Sequence, residues 1–327
     1  MRLRNSNDTH SDGYKFKQHY SYVDKFDSIM TAIADNIRYR FGEDCGIIVA
    51  GESGTGKTTL SKRFLQDNCE KDSEEKDGVF GIYVEICGSG FEALYEDMLE
   101  QLHCKNPKLG SVASKKRRVI ELINALDVKV VFIDEAQEGL PGAVLPSSGY
   151  IKLLKEFTNK TNASWVLLGP EKVKSIADID EQMSERFTRT LTLKAFDCRG
   201  NENTEELMEF IIGLLVKLPR KVPFFQCLLD SMNETGSDFE YKDNVDYENL
   251  FRFLLATKGR ARRIARLLSD CIDDTCTHEK ITANVLAKTY EKKYRNDIES
   301  INHGWINPFK LPKSKVIEQL KLWGLYA

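Results

Sequence analysis

The chain has 327 residues, of which 41% are hydrophobic and 30% charged, with a formal net charge of −3. That length accommodates about two domains with full cores, and the near-neutral charge excludes a protein that coats nucleic acid through its global field, so any polyanion site is local. No charged-then-apolar leader follows Met1, no stretch approaches the ~18 apolar residues of a membrane span, and the eight cysteines contain no C-x-x-C pair; a cytoplasmic, reduced protein without disulfide framework or zinc site is expected.

Residues 1–21 are polar and aperiodic and read as a flexible arm. From Val23 to Phe41, apolar positions Phe26, Ile29, Met30, Ile33, Ile37 and Phe41 recur at helical spacing. A short apolar strand, Gly46 to Ala50, then runs into GESGTGKTTL, a complete G-x-x-x-x-G-K-S/T pattern that opens a helix. Gly51, Gly54 and Gly56 let the backbone turn its N–H groups toward the β- and γ-phosphates of a nucleotide, and the helix adds its positive N-terminal end. Gly51, Glu52, Ser53, Gly54, Thr55, Gly56, Lys57, Thr58 and Thr59 are therefore the expected cradle for ATP, with Lys57 on the β/γ oxygens and Thr58 on Mg2+.

Further strands are expected at Val79–Cys87, Val128–Ile133, Ser164–Gly169 and Thr190–Leu193, with helices at Phe91–Leu102, Lys115–Leu126 and Gly149–Lys160 between them. Alternation of this kind predicts an α/β domain over residues 22–196, a parallel five-stranded sheet covered by helices on both faces. After Phe196 the pattern is helical: Glu205–Leu218, Phe224–Met232, Tyr247–Ala256, Arg260–Cys276 and Thr282–Lys293 predict an all-helical second domain over residues 197–294. Within it the acidic segment Asn233–Asp246 reads as a surface loop, and Cys271, Cys276 and His278 fit no common zinc spacing. The tail, 295–327, carries Trp305, Phe309, Trp323 and Tyr326, aromatics that dock either on this domain or on a partner.

Asp134 and Glu135 end the strand VVFIDE at the carboxyl edge where open α/β sheets bind ligands. With the phosphate loop upstream, Asp134 is expected to reach Mg2+ and Glu135 to orient the water that attacks the γ-phosphate. Gln137 is open between bonding that water or relaying occupancy and starting a solvent-facing helix. Charge spreading over the γ-oxygens needs a cation. Arg186, just before the fifth strand, is expected as a finger supplied to a neighbouring subunit, with Arg189 as alternate, and Arg262 as a γ-phosphate sensor on the helical domain.

The order of loop, DE-ended strand, pre-strand arginine and helical lid resembles an AAA+ ATPase. More closely, DEAQ at Asp134–Gln137, IKLLKEFTNKTNASWVLLGPEKV and DEQMSERF resemble the TniB/TnsC family of transposition ATPases. The resemblance implies homo-oligomers that wind around double-stranded DNA with ATP, carry a target-selection signal to a DDE transposase and disassemble on hydrolysis. Where many AAA+ proteins end the fourth strand with Asn, Ser or Thr, this chain has Gly169-Pro170-Glu171, which leaves the aligner of the attacking water unassigned and suits a slow timer. The acid-free run Gln101–Ile120 places Lys105, Lys108, Lys115, Lys116, Arg117 and Arg118 in one local basic patch, the expected contact with the duplex backbone. Two other readings stay open: a helicase-loader or initiator-like ATPase, and a nucleotide-switched signalling ATPase that binds no DNA.

Overall fold

The computed structural model describes residues 11–17, 19, 21, 23–39, 44–72, 79–87, 90–140, 147–225, 245–276, 279–295 and 306–327. It divides into two compact units, Lys25–Lys194 and a second built from Met1–Asp24 with Ala195–Ala327. The first helix, α1 (Asp12–Phe16), belongs to the second unit. In the α/β unit follow α2 (Asp24–Arg38), β1 (Gly46–Ala50), α3 (Lys57–Asp72), β2 (Gly81–Glu85), α4 (Gly90–Gln101), α5 (Val112–Ala125), β3 (Val130–Asp134), α6 (Ser147–Lys160), β4 (Ser164–Gly169), α7 (Glu181–Arg186) and β5 (Arg189–Thr192).

The five strands pair in the order β2-β3-β4-β1-β5; a parallel five-stranded sheet is what the sequence predicts, and every pair is parallel. β1, β3 and β4 are buried at every position, which is why their sequences read as unbroken apolar runs rather than alternating ones. One face, through Ile48, Val131, Ile133, Trp165 and Leu167, packs on α4, α5 and α6 by Met98, Val119, Ile123 and Phe157. Phe157 stacks on Trp165 at 5.0 Å between ring centres, and the indole N–H donates to Thr161 Oγ1 at 3.2 Å. On the opposite face Phe64 of α3 meets Phe132 edge-on at 5.8 Å. Each fully buried aliphatic side chain here contributes roughly 1.5–3 kcal/mol relative to exposure.

Two local differences from the sequence reading bear on the site. The expected helix Lys115–Leu126 begins earlier, at Val112, because Ser111 caps it by accepting from Ser114 N–H at 3.3 Å. The segment before β5, to which the sequence assigns no element, forms the short helix α7, capped by Asp180, which accepts from Met183 N–H at 3.0 Å.

The second unit holds α1 with α8 (Asn201–Leu215), α9 (Val245–Thr257), α10 (Ala261–Asp274), α11 (Ala283–Tyr294) and α12 (Lys313–Leu322). The described residues of the expected arm, 11–17 foremost, are thus not free. Ser11 caps α1 by accepting from Tyr14 N–H, Gly13 N–H donates to Asp273 Oδ1 at 3.2 Å, Ser269 Oγ donates to the Gly13 carbonyl at 2.8 Å, and Phe16 is 1% exposed. One buried ring and a set of specific polar contacts leave no periodic trace in so short a segment. The described part of the tail, 306–327, docks at home rather than standing apart: Phe309 packs edge-on against Phe224, Phe253 and Tyr290, and Lys258 Nζ lies 3.5 Å over the Trp323 ring. Residues 1–10, Cys227, most of the expected helix Phe224–Met232 and of the loop Asn233–Asp246, His278 and Trp305 lie outside the described residues. No helix among the described residues is long and apolar enough to cross a membrane.

Candidate nucleotide-binding site

Because β4 separates β1 from β3, the loop that leaves β1 and the acids that end β3 flank the carboxyl end of β4. Gly54 and Gly56 hold φ of 84° and 115°, left-handed values that side-chain-bearing residues rarely adopt, and the chain there doubles back into α3. Lys57 is buried, and its Nζ donates to the Gly51 carbonyl at 2.6 Å and the Glu52 carbonyl at 3.0 Å, so the ammonium sits in the concavity of the loop. Thr55 Oγ1 braces the same loop by donating to Glu52 O at 2.9 Å.

Across from it, Asp134 is 3% exposed. Its Oδ2 accepts from Thr58 Oγ1 at 2.6 Å and from Tyr83 OH at 2.6 Å, and its Oδ1 accepts from Glu135 N–H at 2.9 Å. Thr58, Asp134 and Glu135 thus stand together beside the loop that holds Lys57, and Tyr83, which the sequence does not single out, joins them. Burial first, and then its hydrogen bond to Asp134, push the Tyr83 phenol well above its ordinary pKa, which keeps it protonated as a donor. Nothing in IYVE marks that tyrosine; only the pairing of β2 with β3 aims it at Asp134. A hydroxyl and a carboxylate side by side are hard oxygen donors of the kind Mg2+ takes alongside phosphate oxygens and water, so the residues fit that ion.

Glu135 is exposed and sits at φ 52°, ψ 36°, turning the chain sharply out of β3. Its Oε2 accepts from Gln137 Nε2 at 2.6 Å. Gln137 is buried, so the solvent-facing alternative is set aside.

Of the three arginines, Arg186 is placed differently from expectation. Arg186 is 6% exposed, and its Nη1 donates to Thr158 Oγ1 at 3.1 Å and Asn159 Oδ1 at 2.6 Å, tying α7 to α6 within the subunit. The alternate, Arg189, is exposed on the edge strand β5 and level with Ile47, at the opposite end of the sheet from Gly51. Arg262 lies exposed in the first turn of α10, in the second unit.

The basic run also divides. Lys115 is the clearest correction: its side chain is 2% exposed and its Nζ donates to Glu92 at 2.6 Å and Glu96 at 2.5 Å, acids that α4 supplies from outside the acid-free stretch. Those bonds, Glu92 first, raise its pKa. Lys116 pairs with Glu156 at 2.6 Å and Arg117 with Glu121 at 3.3 Å, while Arg118 donates to the Leu109 and Asn106 carbonyls, holding the turn between α4 and α5 in shape. Lys105 and Lys108 stand exposed on that turn, beside Leu109, which is 69% exposed.

Residues 16–196 match the profile of the bacterial TniB protein. No curated protein matches the chain. Among solved structures the chain is similar to the Aeropyrum pernix ORC2 protein (ADPNP-ADP complexes), with a TM-score of 0.60 at 12% identity over 95% of this chain and 84% of that one. It is also similar to the Aeropyrum pernix ORC1 protein in complex with DNA, with a TM-score of 0.56 at 14% identity over 95% and 85%. At such identities the likeness speaks for the fold alone, and that fold is the AAA+ P-loop fold. With a match that covers more than half of its length, the chain belongs to the bacterial TniB family.

Proposed function

We propose that the chain is an ATP-hydrolysing regulator of transposition that oligomerises on duplex DNA and links target selection to a DDE transposase, with hydrolysis setting the lifetime of the assembly. The observation that carries this is the hydrogen bond between Thr58 and Asp134 at the mouth of the phosphate loop, with Glu135 next to it, in a TniB-family chain. Lys57 exchanges its bonds to the Gly51 and Glu52 carbonyls for the β/γ oxygens of ATP. Mg2+, when bound to Thr58 and Asp134, would neutralise phosphate charge. Glu135 orients the attacking water and takes up its proton.

Arg262 is proposed as the γ-phosphate sensor. For the cation given to a neighbouring subunit, exposed Arg189 is better disposed than Arg186, which must leave Thr158 and Asn159 to act in trans. Contact with DNA falls to Lys105, Lys108 and Arg117, with Lys116 and Arg118 in support; these groups neutralise backbone phosphates without reading sequence. The similar fold of the ORC1 protein solved in complex with DNA supports this use of the scaffold.

Negative-stain microscopy with a non-hydrolysable ATP analogue, with and without a short duplex, tests the reading. Rings or filaments that need both are expected. Oligomers indifferent to DNA would favour the signalling ATPase, preference for single strands the initiator-like one, and persistent monomers would remove the role in trans.

A further inference from the structure

The end of β4 is the wall between the two halves of the candidate site. Gly51 N–H donates to the Gly169 carbonyl at 3.0 Å, so Gly169 adjoins the phosphate loop. From the other side, the three-ten turn Ala136–Gly139 sends the Gln137 carboxamide against Gly169. Gln137 is 9% exposed. Its Nε2 donates to Glu135 Oε2 at 2.6 Å, with a longer contact of 3.4 Å to Glu138 Oε1. Its Oε1 is buried without a hydrogen-bond donor among the described residues, and a Cβ on Gly169 would stand 2.5 Å from it. The same Cβ would stand 3.0 Å from Val173 Cβ, so a side chain at the end of β4 forces the carboxamide, the flexible neighbour, to move.

Glu135 supplies the other half of the geometry. With φ at 52° the chain reverses directly after Asp134, so that Glu135 and Gln137, two residues apart, meet side chain to side chain. A left-handed non-glycine residue persists where its surroundings over-determine it. The carboxylate is exposed and would otherwise sample several rotamers; a donor fixed by burial selects one of them.

We propose that Gln137 is the positioning residue for Glu135, and that glycine at position 169 leaves the carboxamide the space it needs beside Val173 to reach that carboxylate. The inference rests on the reading of Glu135 as the group that orients the attacking water. Gln137 acts through that carboxylate and does not touch the nucleotide, so its loss slows turnover and leaves nucleotide binding intact.

The test is steady-state ATP turnover and equilibrium binding of a fluorescent ATP analogue on the full chain, for Gln137→Met, Gly169→Ala, the double variant and Glu135→Gln. Gln137→Met keeps length and removes the donor; Gly169→Ala retains the glutamine and pushes its carboxamide away from Glu135. Each is expected to lower kcat about tenfold with nucleotide affinity changed less than about twofold, as misplacement of one group predicts. The double variant is expected to be no slower than the slower single, because both break one contact. Losses that multiply, a kcat equal to the native one in either folded single variant, or a fall in affinity equal to the fall in kcat would overturn the inference. If one single variant does not fold, the other still decides. Should Glu135→Gln keep native turnover, the reading of Glu135 fails; should it abolish turnover while Gln137→Met is native-like, only the role of Gln137 does.

Discussion

At the scale of single residues, the candidate site turns on groups whose neighbours the sequence does not name. Lys115 and its neighbours in the basic run look alike in sequence, yet only Lys115 is enclosed by two glutamates. Its raised pKa means that its contribution to stability is fully present at neutral pH and is lost only as pH rises through that value in alkali. Lys115→Met is expected to lower the thermal unfolding midpoint and leave duplex affinity unchanged. Lys105→Ala with Lys108→Ala should do the reverse, reducing the slope of log affinity against log salt by about 0.9 for each phosphate contact removed, as read by fluorescence anisotropy. Within the loop, Gly56→Ala forces a side chain into φ 115° and is expected to weaken nucleotide binding at least tenfold by calorimetry.

At the scale of elements, α7 illustrates how a six-residue helix is held by its ends. Asp180 caps it and also pairs with Lys155 of α6 at 2.5 Å. Lys155 first, then the Met183 N–H, hold the Asp180 carboxyl below its ordinary pKa, so its stabilisation is present above the usual carboxylate range and lost as pH falls through the depressed value. Asp180→Asn retains the cap and drops the ion pair, whereas Asp180→Ala drops both. Unfolding midpoints are expected to rank native above Asn above Ala at neutral pH, and the native-to-Asn gap should close in acid. An unchanged gap would mean that the ion pair contributes nothing. The same logic explains why α5 starts at Val112: the Ser111 cap, not the first periodic apolar residue, sets the boundary.

At the scale of the whole molecule, each unit carries its own core. In the helical unit the tail completes it, with Asn307 Nδ2 donating to the Ala287 carbonyl at 2.9 Å, Val316 and Leu320 buried, and Phe309 seated among three rings. Phe309→Ala is expected to destabilise this unit by about 2 kcal/mol, from lost area and ring contacts. Hydrogen exchange should register the change in α9 and α11 and leave the α/β sheet protected as before; equal loss of protection in both units would contradict independent cores.

The sequence by itself determined the five strands, most of their order of appearance with the helices, the phosphate loop and the Asp134–Glu135 pair. Those features rest on local rules: unbroken apolar runs for strands buried on both faces, and a spacing of glycines that the backbone itself requires. Only the tertiary structure decided what depends on the partner a distant element supplies. The pairing of β2 with β3 put Tyr83 on Asp134, the acids of α4 withdrew Lys115 from the surface, and α6 drew Arg186 inward. Likewise the place of β4 between β1 and β3 set Gly169 against Gln137. A charge or a hydroxyl shows its type in the sequence, but its burial and its partner are properties of packing between residues far apart in the chain.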